Sequence, residues 1–356
     1  MNEPKVAIII LVYNGAQYLG DCLSSLANLN YPKEKLAIIV VDNASTDNSV
    51  ETVNKKQLTV DNLILIKNEV NLGFAAGNNV GIKYAMAQGF DYVYLLNQDT
   101  VTEPNFLIEA VKVAESDEQI SAVQSRLMLY QKKDVINSIG NQIHYLGFAY
   151  AGGHGTPITH YSLPVPSFEI TYPSGAAVLL KLSTLEKVGL FNEEFFMYHE
   201  DVDLGWRLWL QNYKVMLVWD SVVYHKYEFS KSIKKYYFME RNRYLVLLQN
   251  YKMATLLAIL PASIVMDISM FIYSIFAGWF SEELEVYKYF FSHKNWEKIF
   301  ETRQKIQASR KTKDKEIIKR FVGVIKFQDF QNPLLKYFVN PIFDLYWQIV
   351  KRLIWW

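Results

Sequence analysis

Residues that could hold a cation or a phosphate group occur in four short clusters, each directly after an apolar run of the chain. In the last cluster Asn97 and Asp99 place two oxygen ligands two residues apart. This spacing suits a hard divalent cation, Mg²⁺ or Mn²⁺, shared with phosphate oxygens. A chain without a P-loop needs such a cation to neutralise a diphosphate leaving group. In chain order the clusters are Tyr13-Asn14, Asp42-Asn43-Ala44-Ser45-Thr46-Asp47, Asn71-Leu72-Gly73-Phe74-Ala75-Ala76-Gly77-Asn78-Asn79 and Asn97-Gln98-Asp99-Thr100.

Each cluster also has a purely structural interpretation. Asn43 or Ser45 can cap the following helix, and the stretch 71–77 can form a turn with glycines at positive φ. Their occurrence at successive strand ends favours a ligand site. The chain has no Gly-x-x-x-x-Gly-Lys-Ser/Thr loop, and no Gly-x-Gly-x-x-Gly follows the first strand. An ATP-cleaving P-loop and a dinucleotide site are therefore disfavoured.

A second acidic group opens a predicted helix at 201–212. Glu200 and Asp201 lie at its start, where we expect the helix dipole and free N–H groups to keep a carboxylate ionised. A carboxylate held in this way could act as a general base toward a hydroxyl group. The alternative is an acidic helix cap without a catalytic role.

Two basic positions follow further along the chain. His225 comes after a predicted strand and could supply an imidazole to a cation near Asp99, although a single histidine is more often structural. Arg241 and Arg243 add fixed positive charge that could meet phosphates. The alternative for these arginines is a solvated or headgroup-facing helix.

The elements that position these residues alternate between short apolar strands and helices. This alternation predicts an α/β fold with a largely parallel sheet covered on both faces, and such sheets bind ligands at the carboxyl ends of their strands. Residues 140–175 are rich in Gly and Pro, which indicates a substrate-facing excursion. Strands are predicted at 5–13, 36–41, 62–66, 92–96, 120–124, 176–181, 214–218 and 222–224, and helices at 17–29, 47–56, 77–88, 103–115, 182–188 and 201–212.

Composition divides the chain into unlike halves. Of 53 aromatic residues, 37 lie in residues 191–356, and net charge changes from −5 in residues 1–190 to +6 in residues 191–356. The 51% hydrophobic content excludes a disordered chain. A single cysteine, Cys22, excludes an internal disulfide and a cysteine-based metal site. An acidic site domain followed by a surface-seeking basic segment is expected.

The segment between Lys252 and Glu282 is long enough to span a bilayer and holds one charge, Asp267. That charge costs ~3 kcal/mol in a membrane, and Pro261 is expected to interrupt the helix. We therefore expect a deep interfacial or re-entrant helix on the cytoplasmic face of the cell membrane, with basic and Trp-rich flanks in the headgroup layer. A helical hairpin and a homodimer interface are the alternatives. No nucleic-acid-binding motif is present, so nucleic acid is not an expected partner.

Six motifs in this order resemble those of family 2 glycosyltransferases, most of all the bacterial rhamnosyltransferase-type members. The resemblance covers roughly residues 5–245. It implies a GT-A fold, a nucleotide-diphosphate sugar donor, a divalent cation and an inverting single displacement. The motifs are Val12-Tyr13-Asn14, Val41-Asp42-Asn43-Ala44-Ser45-Thr46-Asp47, Asn71-Leu72-Gly73-Phe74-Ala75-Ala76-Gly77-Asn78, Leu96-Asn97-Gln98-Asp99, Ser174-Gly175-Ala176 and Phe196-Met197-Tyr198-His199-Glu200-Asp201-Val202-Asp203-Leu204.

The resemblance also implies roles for individual residues. Asp99 would be the metal ligand of the Asp-x-Asp position, with His225 completing the metal site as in some relatives. Asp201 would be the catalytic base beside Glu200. Asn97 departs from the pattern, because many members carry Asp there, and Asn192 stands where a related Phe-Asp-Glu pattern has Asp. The residues expected on the donor side are Tyr13, Asn14, Asp42, Asn71, Gly77, Asn97, Gly175 and Arg241.

The sequence therefore predicts a catalytic domain at 1–230 and a helical, membrane-docking region at 231–356. The expected reaction moves a sugar, with rhamnose from dTDP-rhamnose the first guess, to a hydroxyl of a lipid-linked or growing surface glycan. A UDP-hexose or UDP-N-acetylhexosamine donor is the alternative within the family. A nucleotidylyltransferase is disfavoured because Tyr13-Asn14-Gly15 lacks a basic residue, and a non-catalytic binding module would agree with Asn97.

Overall fold

A computed structural model of the chain describes residues 3–58, 60, 62–161, 165–227, 234–326, 333 and 335–356. The predicted boundary between residues 230 and 231, and the basic Lys231 beside it, lie outside the described residues. The chain divides into two compact units. The first comprises Met1–Asn141, Ala151–Gly205 and Tyr213–Glu228, and the second comprises Gln142–Tyr150, Trp206–Asn212 and Phe229–Trp356.

The strands of the first unit form because apolar, β-branched runs can be buried on both faces of a sheet. The first strand, for example, is buried along almost its whole length. The strands within the described residues are β1 (Val6–Val12), β2 (Leu36–Asp42), β3 (Leu63–Lys67), β4 (Tyr92–Leu96), β5 (Thr100–Thr102), β6 (Ile120–Leu129), β7 (Lys132–Ser138), β8 (Asn141–Ile143), β9 (Ala149–Ala151), β10 (Ser167–Glu169), β11 (Ala177–Lys181) and β12 (Lys214–His225).

The main sheet has the order β10-β12-β6-β11-β4-β1-β2-β3, with β5 paired to β12 and β7 paired to β6. Strands β4, β1, β2 and β3 are parallel, as predicted. Strand β11 runs antiparallel to both of its neighbours, β4 and β6, so the sheet as a whole is mixed. Strands β8 and β9 form a separate small sheet.

The helices between the strands have apolar faces at helical spacing. In the first of them Leu19, Cys22, Leu23 and Leu26 are buried. The predicted α/β fold and the helical region toward the C-terminus are confirmed. The helices within the described residues are α1 (Ala16–Leu26), α2 (Ser49–Lys56), α3 (Gly73–Ala87), α4 (Phe106–Ala114), α5 (Leu182–Val188), α6 (Glu200–Leu210), α7 (Lys234–Asn250), α8 (Met253–Ala277), α9 (Phe280–Phe291), α10 (His293–Ser309), α11 (Asp314–Ile317) and α12 (Asn340–Leu353).

The second unit differs from the sequence expectation at Pro261. Helix α8 runs through this proline as one element of 25 residues, so the expected interruption is wrong. Asp267 of α8 lies 3.0 Å, Oδ1 to Nη2, from the buried Arg243 of α7. Arg243 also pairs with Glu240, so one guanidinium serves two carboxylates within the unit. By length and composition α8 is the one helix among the described residues that could cross a membrane.

The last helix is fixed to the second unit by aromatic packing. The rings of Tyr145 and Trp347 stack with centroids 4.5 Å apart and an interplanar angle of 2°. The Tyr145 hydroxyl donates a hydrogen bond to the carbonyl of Phe343 at 3.3 Å. One side of α12 is therefore buried, along Phe343, Trp347 and Val350.

Candidate active site

The ends of β1 and β2 are joined by side-chain hydrogen bonds. The Oδ1 atom of Asn14 accepts a hydrogen bond from the backbone N–H of Thr46 at 2.8 Å, and the N–H of Asn14 donates to Ser45 Oγ at 3.0 Å. The buried Asp42 accepts from the N–H of Ser45 at 3.3 Å. Asn14 and Ala44 both take positive φ, 48° and 64°. The strand ends are thus held in an uncommon backbone conformation, as happens at many ligand sites.

Gln98 joins the end of β4 to the end of β1. Its Oε1 accepts from the backbone N–H of Tyr13 at 3.1 Å, and its Nε2 lies 3.4 Å from the Tyr13 carbonyl. A Cβ atom on Gly15 would lie 2.0 Å from Gln98 Oε1, so a larger residue at this position would displace the Gln98 side chain. The Tyr13 side chain is 46% exposed and remains accessible to a ligand.

Asn71 and Gly77 have structural partners in the turn before α3 and in α3 itself. Asn71 Oδ1 accepts from Asn43 Nδ2 at 2.9 Å and from the N–H of Gly73 at 2.8 Å. A Cβ on Gly77 would lie 2.5 Å from a methyl group of Leu11, so this glycine lets α3 pack closely on β1. The predicted donor-binding roles of Asn71 and Gly77 stay predictions.

Asp99 and His225 are brought together by strand pairing. β12 runs antiparallel to β5, and His225 lies opposite Thr100. The Nε2 atom of His225 lies 3.3 Å from Asp99 Oδ1, and the side chains are 9% and 25% exposed. No group of three or more His, Cys, Asp or Glu residues suited to a metal ion occurs among the described residues.

These two side chains fit a divalent cation that also binds a ligand. A carboxylate and an imidazole are both established ligands of divalent cations such as Mn²⁺. Two protein ligands leave the remaining coordination positions for phosphate oxygens and water. Asn97 lies directly after β4, two residues before Asp99. Its backbone N–H donates to the carbonyl of Ala176 at 3.0 Å.

Asp201 lies in the first turn of α6, close to the turn that enters β11. Its Oδ2 accepts from the backbone N–H of Gly175 at 3.3 Å, and its Oδ1 accepts from the N–H of Val202 at 2.8 Å. Burial raises the pKa of Asp201 to about 6, although these hydrogen bonds oppose the change. The N–H groups at the helix start therefore favour the ionised carboxylate, as expected, but desolvation outweighs them and raises the pKa.

Glu200 is more deeply buried than Asp201, at 6% exposure. Burial and the adjacent carboxylate of Asp201 raise the pKa of Glu200 well above its ordinary value. Among the described residues its Oε2 has no hydrogen-bond partner. Two neighbouring acids with raised pKa values are typical of an active site, where one of them works as a base near neutral pH.

The loop before α6 has an unusual backbone. Phe196, Tyr198 and His199 all take positive φ, between 60° and 68°. The carbonyl of Phe196 accepts from the N–H groups of Phe74 and Ala75 at 2.6 and 3.2 Å. These bonds fix the start of α6 to the start of α3. Positive φ costs conformational energy in residues other than glycine, and this backbone strain is concentrated at functional sites.

Two hydrogen bonds connect the Asp99 side of this unit to Asp201. The N–H of Asn97 donates to the carbonyl of Ala176, and the N–H of the preceding Gly175 donates to Asp201. A pair of cation ligands and an acid with a raised pKa therefore lie on adjoining strand ends of one unit. This arrangement can hold a phosphate-bound cation on one side and remove a proton on the other.

Two family models match the chain. One is described as glycosyl transferase family 2 and matches residues 7–162. The other is described as glycosyl transferase family group 2 and matches residues 92–281, more than half of the 356 residues. The chain belongs to glycosyltransferase family 2. The predicted resemblance is confirmed at the level of the family.

Curated relatives of this family 2 glycosyltransferase match it over part of their length. A poly-beta-1,6-N-acetyl-D-glucosamine synthase of Staphylococcus epidermidis is 29% identical over 213 residues, which are 59% of this chain and 47% of that protein. The chain therefore spans about half the length of the curated relatives it matches.

Two solved structures confirm the predicted GT-A fold of this family 2 glycosyltransferase. Residues covering 70% of the chain superpose on 48% of GalNAc-T7, solved with UDP, GalNAc and Mn²⁺, with a TM-score of 0.57 and 13% identity. Residues covering 98% of the chain superpose on 90% of Staphylococcus aureus TarS 1–349 in complex with UDP-GlcNAc, with a TM-score of 0.52 and 18% identity.

Arg241 belongs to the second unit, whereas the four polar clusters belong to the first. Its Nε donates to Asn242 Oδ1 at 2.9 Å, and its guanidinium lies over the rings of Tyr237, Phe238 and Tyr289 at 5.2 to 5.3 Å. The predicted contact between Arg241 and the donor phosphates stays a prediction.

The structure gives roles in the site to two residues of this family member for which the motifs imply none. Gln98 has a usable signal in the sequence, since it lies between Asn97 and Asp99 at a strand end. Phe196 has none, because its carbonyl and its positive φ carry its role and the side-chain type does not.

Proposed function

We propose that this protein is an inverting glycosyltransferase that moves a sugar from a nucleotide-diphosphate donor to a hydroxyl group. The main support is the connection of Asp99 and His225 to Asp201 through Asn97, Ala176 and Gly175. The GT-A fold and the family agree with this reaction. A binding module would not need a buried acid pair with raised pKa values beside the cation ligands.

The proposed mechanism divides the work between the two sides of the site. Asp99 and His225 would hold a divalent cation, which supplies positive charge that stabilises a diphosphate leaving group. Tyr13 and Asp42 would bind the nucleoside at the ends of β1 and β2. Asp201, with a pKa of about 6, is mostly ionised at pH 7 and would take the proton of the acceptor hydroxyl. Attack from the face opposite the leaving group inverts the anomeric carbon.

For the donor we favour a UDP-N-acetylhexosamine over dTDP-rhamnose. The curated relative that is 29% identical is a poly-beta-1,6-N-acetyl-D-glucosamine synthase, and its matching part covers 59% of this chain. Rhamnose rests on the motif resemblance alone, so it is the alternative donor.

A donor panel tests the reaction. The full chain would be incubated with UDP-GlcNAc, UDP-GalNAc, UDP-glucose, dTDP-rhamnose and GDP-mannose, with membrane lipid extract as acceptor and with Mn²⁺, Mg²⁺ or EDTA. We expect release of nucleoside diphosphate, fastest with a UDP-N-acetylhexosamine, and loss of release in EDTA. The anomeric configuration of the product, read by NMR, tests inversion. Nucleotide-sugar binding without release from any donor would favour the binding module.

We also propose that the second unit binds the cytoplasmic face of the cell membrane, where a lipid-linked acceptor would be found. Of 25 large hydrophobic side chains exposed in the described part of the chain, 21 belong to this unit and 14 lie on α8 and α12. Exposed apolar patches of this extent mark membrane or protein interfaces. We call these 14 side chains the apolar face. Its members include Leu257, Ile264, Ile268 and Ile272 on α8, and Ile342, Leu345 and Ile349 on α12.

A bilayer explains the apolar face better than a second copy of the chain. Helix α12 is apolar on two sides, because one side packs inside the unit while Ile342, Ile349 and Leu353 are exposed. The one charge of α8, Asp267, pairs with Arg243 of the same unit, and its side chain is 26% exposed. Basic residues in the last turn of α12 suit anionic headgroups.

Vesicle flotation tests this proposal with a matched control. The variant Ile268→Glu combined with Ile349→Glu places charge on the apolar face, and we expect it to lose binding to phosphatidylcholine–phosphatidylglycerol vesicles. Leu58→Glu makes the same kind of chemical change at an exposed site of the first unit and should keep binding. A concentration-dependent dimer that the double variant abolishes, with no vesicle binding by the unaltered chain, would show a homodimer interface instead.

A further inference from the structure

A buried asparagine contacts the imidazole of His225 on the side away from Asp99. Asn137 lies on β7 and is 5% exposed. Its Oδ1 is 2.9 Å from Nδ1 of His225. An amide oxygen can only accept a hydrogen bond, so Nδ1 of His225 carries the proton and donates it.

This hydrogen bond determines which nitrogen of the ring faces Asp99. A neutral imidazole carries one proton, and with that proton on Nδ1 the Nε2 atom has a free lone pair. Nε2 lies 3.3 Å from Asp99 Oδ1. A lone pair and a carboxylate oxygen repel each other at this distance unless a cation or a proton lies between them. The tautomer set by Asn137 is therefore the one that can bind a cation together with Asp99.

The surroundings hold Asn137 and the ring in place. β7 is paired with β6, where Ile136 lies opposite Met128. The backbone carbonyl oxygen of Asn137 is 3.1 Å from Nδ1 of His154. The Tyr227 ring packs edge-on to the His154 ring, with centroids 5.6 Å apart, and tilted to the His225 ring, with centroids 5.5 Å apart. Asn137 is therefore held in place and can fix the orientation of the His225 ring.

We propose that Asn137 is a positioning residue that sets the tautomer and the ring orientation of His225, so that Nε2 is available to a divalent cation. This inference rests on the proposed function only for the identity of the molecule that the cation binds, a nucleotide-diphosphate sugar. Asn137 itself faces the opposite nitrogen and does not contact the cation.

The tautomer can be measured without metal or activity. In protein labelled with ¹⁵N-histidine, long-range ¹H–¹⁵N spectra distinguish a protonated from an unprotonated ring nitrogen, and His225→Gln identifies the His225 signals. We expect Nδ1 to be protonated in the unaltered chain. We expect a mixture of tautomers in Asn137→Ala and restored Nδ1 protonation in Asn137→Asp, which keeps an acceptor at the same place. An unprotonated Nδ1 in the unaltered chain, or an unchanged ring in Asn137→Ala, would overturn the proposal.

Binding of Mn²⁺, alone and with UDP, gives a second readout by EPR of the free ion. Removing a partner that orients a ligating histidine weakens metal binding by about 10- to 100-fold, and we expect this loss in Asn137→Ala and its recovery in Asn137→Asp. Asn340→Ala removes a buried amide of the second unit, which donates to the Ile325 carbonyl, and should leave Mn²⁺ binding unchanged. Equal losses in both alanine variants would reduce Asn137 to a structural role.

The two proposals can fail separately. If no donor is cleaved but the His225 tautomer and Mn²⁺ binding depend on Asn137, the proposed transferase activity is wrong and the positioning role stands. If transfer occurs and Asn137→Ala changes neither readout, the positioning role is wrong and the transferase proposal is unaffected.

Discussion

The carboxylate of Asp201 accepts a hydrogen bond from the backbone N–H of Gly175 at 3.3 Å. This contact links the first turn of α6 to the turn that enters β11, and the two partners are 26 positions apart in the sequence. It helps to hold the acid in a site whose burial raises the pKa of Asp201 to about 6. A base with this pKa is ionised at pH 7 and is a stronger proton acceptor than an ordinary aspartate.

The first prediction separates Asp201 from its neighbour Glu200. We expect Asp201→Asn to lower the rate of sugar transfer by about 10²- to 10⁴-fold, because the amide cannot accept the acceptor's proton. Glu200→Gln should cost much less, since the raised pKa of Glu200 favours its protonated form already. Single-turnover release of nucleoside diphosphate measures both. Near-normal transfer by Asp201→Asn, or the reverse order of the two losses, would contradict the assignment.

Thermal unfolding serves as the control for Asp201→Asn. The folded protein raises the pKa of Asp201 from 3.8 to about 6, so it binds the proton more tightly than the unfolded chain does. The stability this gives is complete below about pH 4 and is lost as pH rises through about 6. The asparagine variant should therefore have a higher Tm than the unaltered chain at pH 7, with the difference disappearing near pH 4. A lower Tm at pH 7 would attribute the lost activity to misfolding.

The second prediction concerns the pH dependence of transfer. Because Asp201 must be ionised to act as a base, kcat/KM should fall as pH decreases through about 6. A pH profile at saturating Mn²⁺ tests this, with nucleotide binding followed in parallel so that a loss of affinity is not mistaken for a loss of catalysis. A limb near pH 4, roughly the ordinary range of aspartate, would place Asp201 in a more solvated environment than the structure does.

The third prediction concerns the charge of the cation site. Asn97→Asp adds a carboxylate two residues before Asp99, and we expect half-maximal activity at a lower Mn²⁺ concentration. Asp99→Asn removes the charge and should abolish stimulation by Mn²⁺. Gln98→Glu changes charge at the residue between them, whose side chain contacts Tyr13 instead, and controls for a general effect of negative charge. Equal effects of Asn97→Asp and Gln98→Glu would argue against a ligand role at position 97.

The fourth prediction compares two helical glycines. A Cβ on Gly205 of α6 would lie 2.5 Å from Cβ and 3.0 Å from Cα of Tyr172, so Gly205→Ala must displace backbone. We expect a loss of about 1–3 kcal/mol in the free energy of unfolding, with lowered transfer because α6 carries Asp201. Gly20 of α1 has nothing within 4 Å of the added atom, and Gly20→Ala should stabilise by up to about 1 kcal/mol. Denaturant unfolding measures both, and equal effects would disprove the close packing at Tyr172.

Much of the fold can be predicted from local patterns. Continuous apolar runs specify β1, β2 and β4 because such runs satisfy a sheet buried on both faces, and helix α5 agrees with its predicted bounds, Leu182–Val188. Strand β7 is absent from the sequence prediction, because it begins with Lys132 and Lys133 and is specified by its pairing with β6. The antiparallel place of β11 is likewise decided by its neighbours.

Taken alone, the amino-acid sequence specifies which residues could do chemistry, since Asp42, Asp99 and Asp201 lie in the motifs and His225 follows a predicted strand. The environment of these residues depends on the folded chain. His225 reaches Asp99 because β12 pairs with β5, and the pKa of Asp201 is raised because burial outweighs two hydrogen bonds from backbone N–H groups. Motifs record residue types at fixed spacing, whereas distance and desolvation depend on strands and helices far apart in the chain.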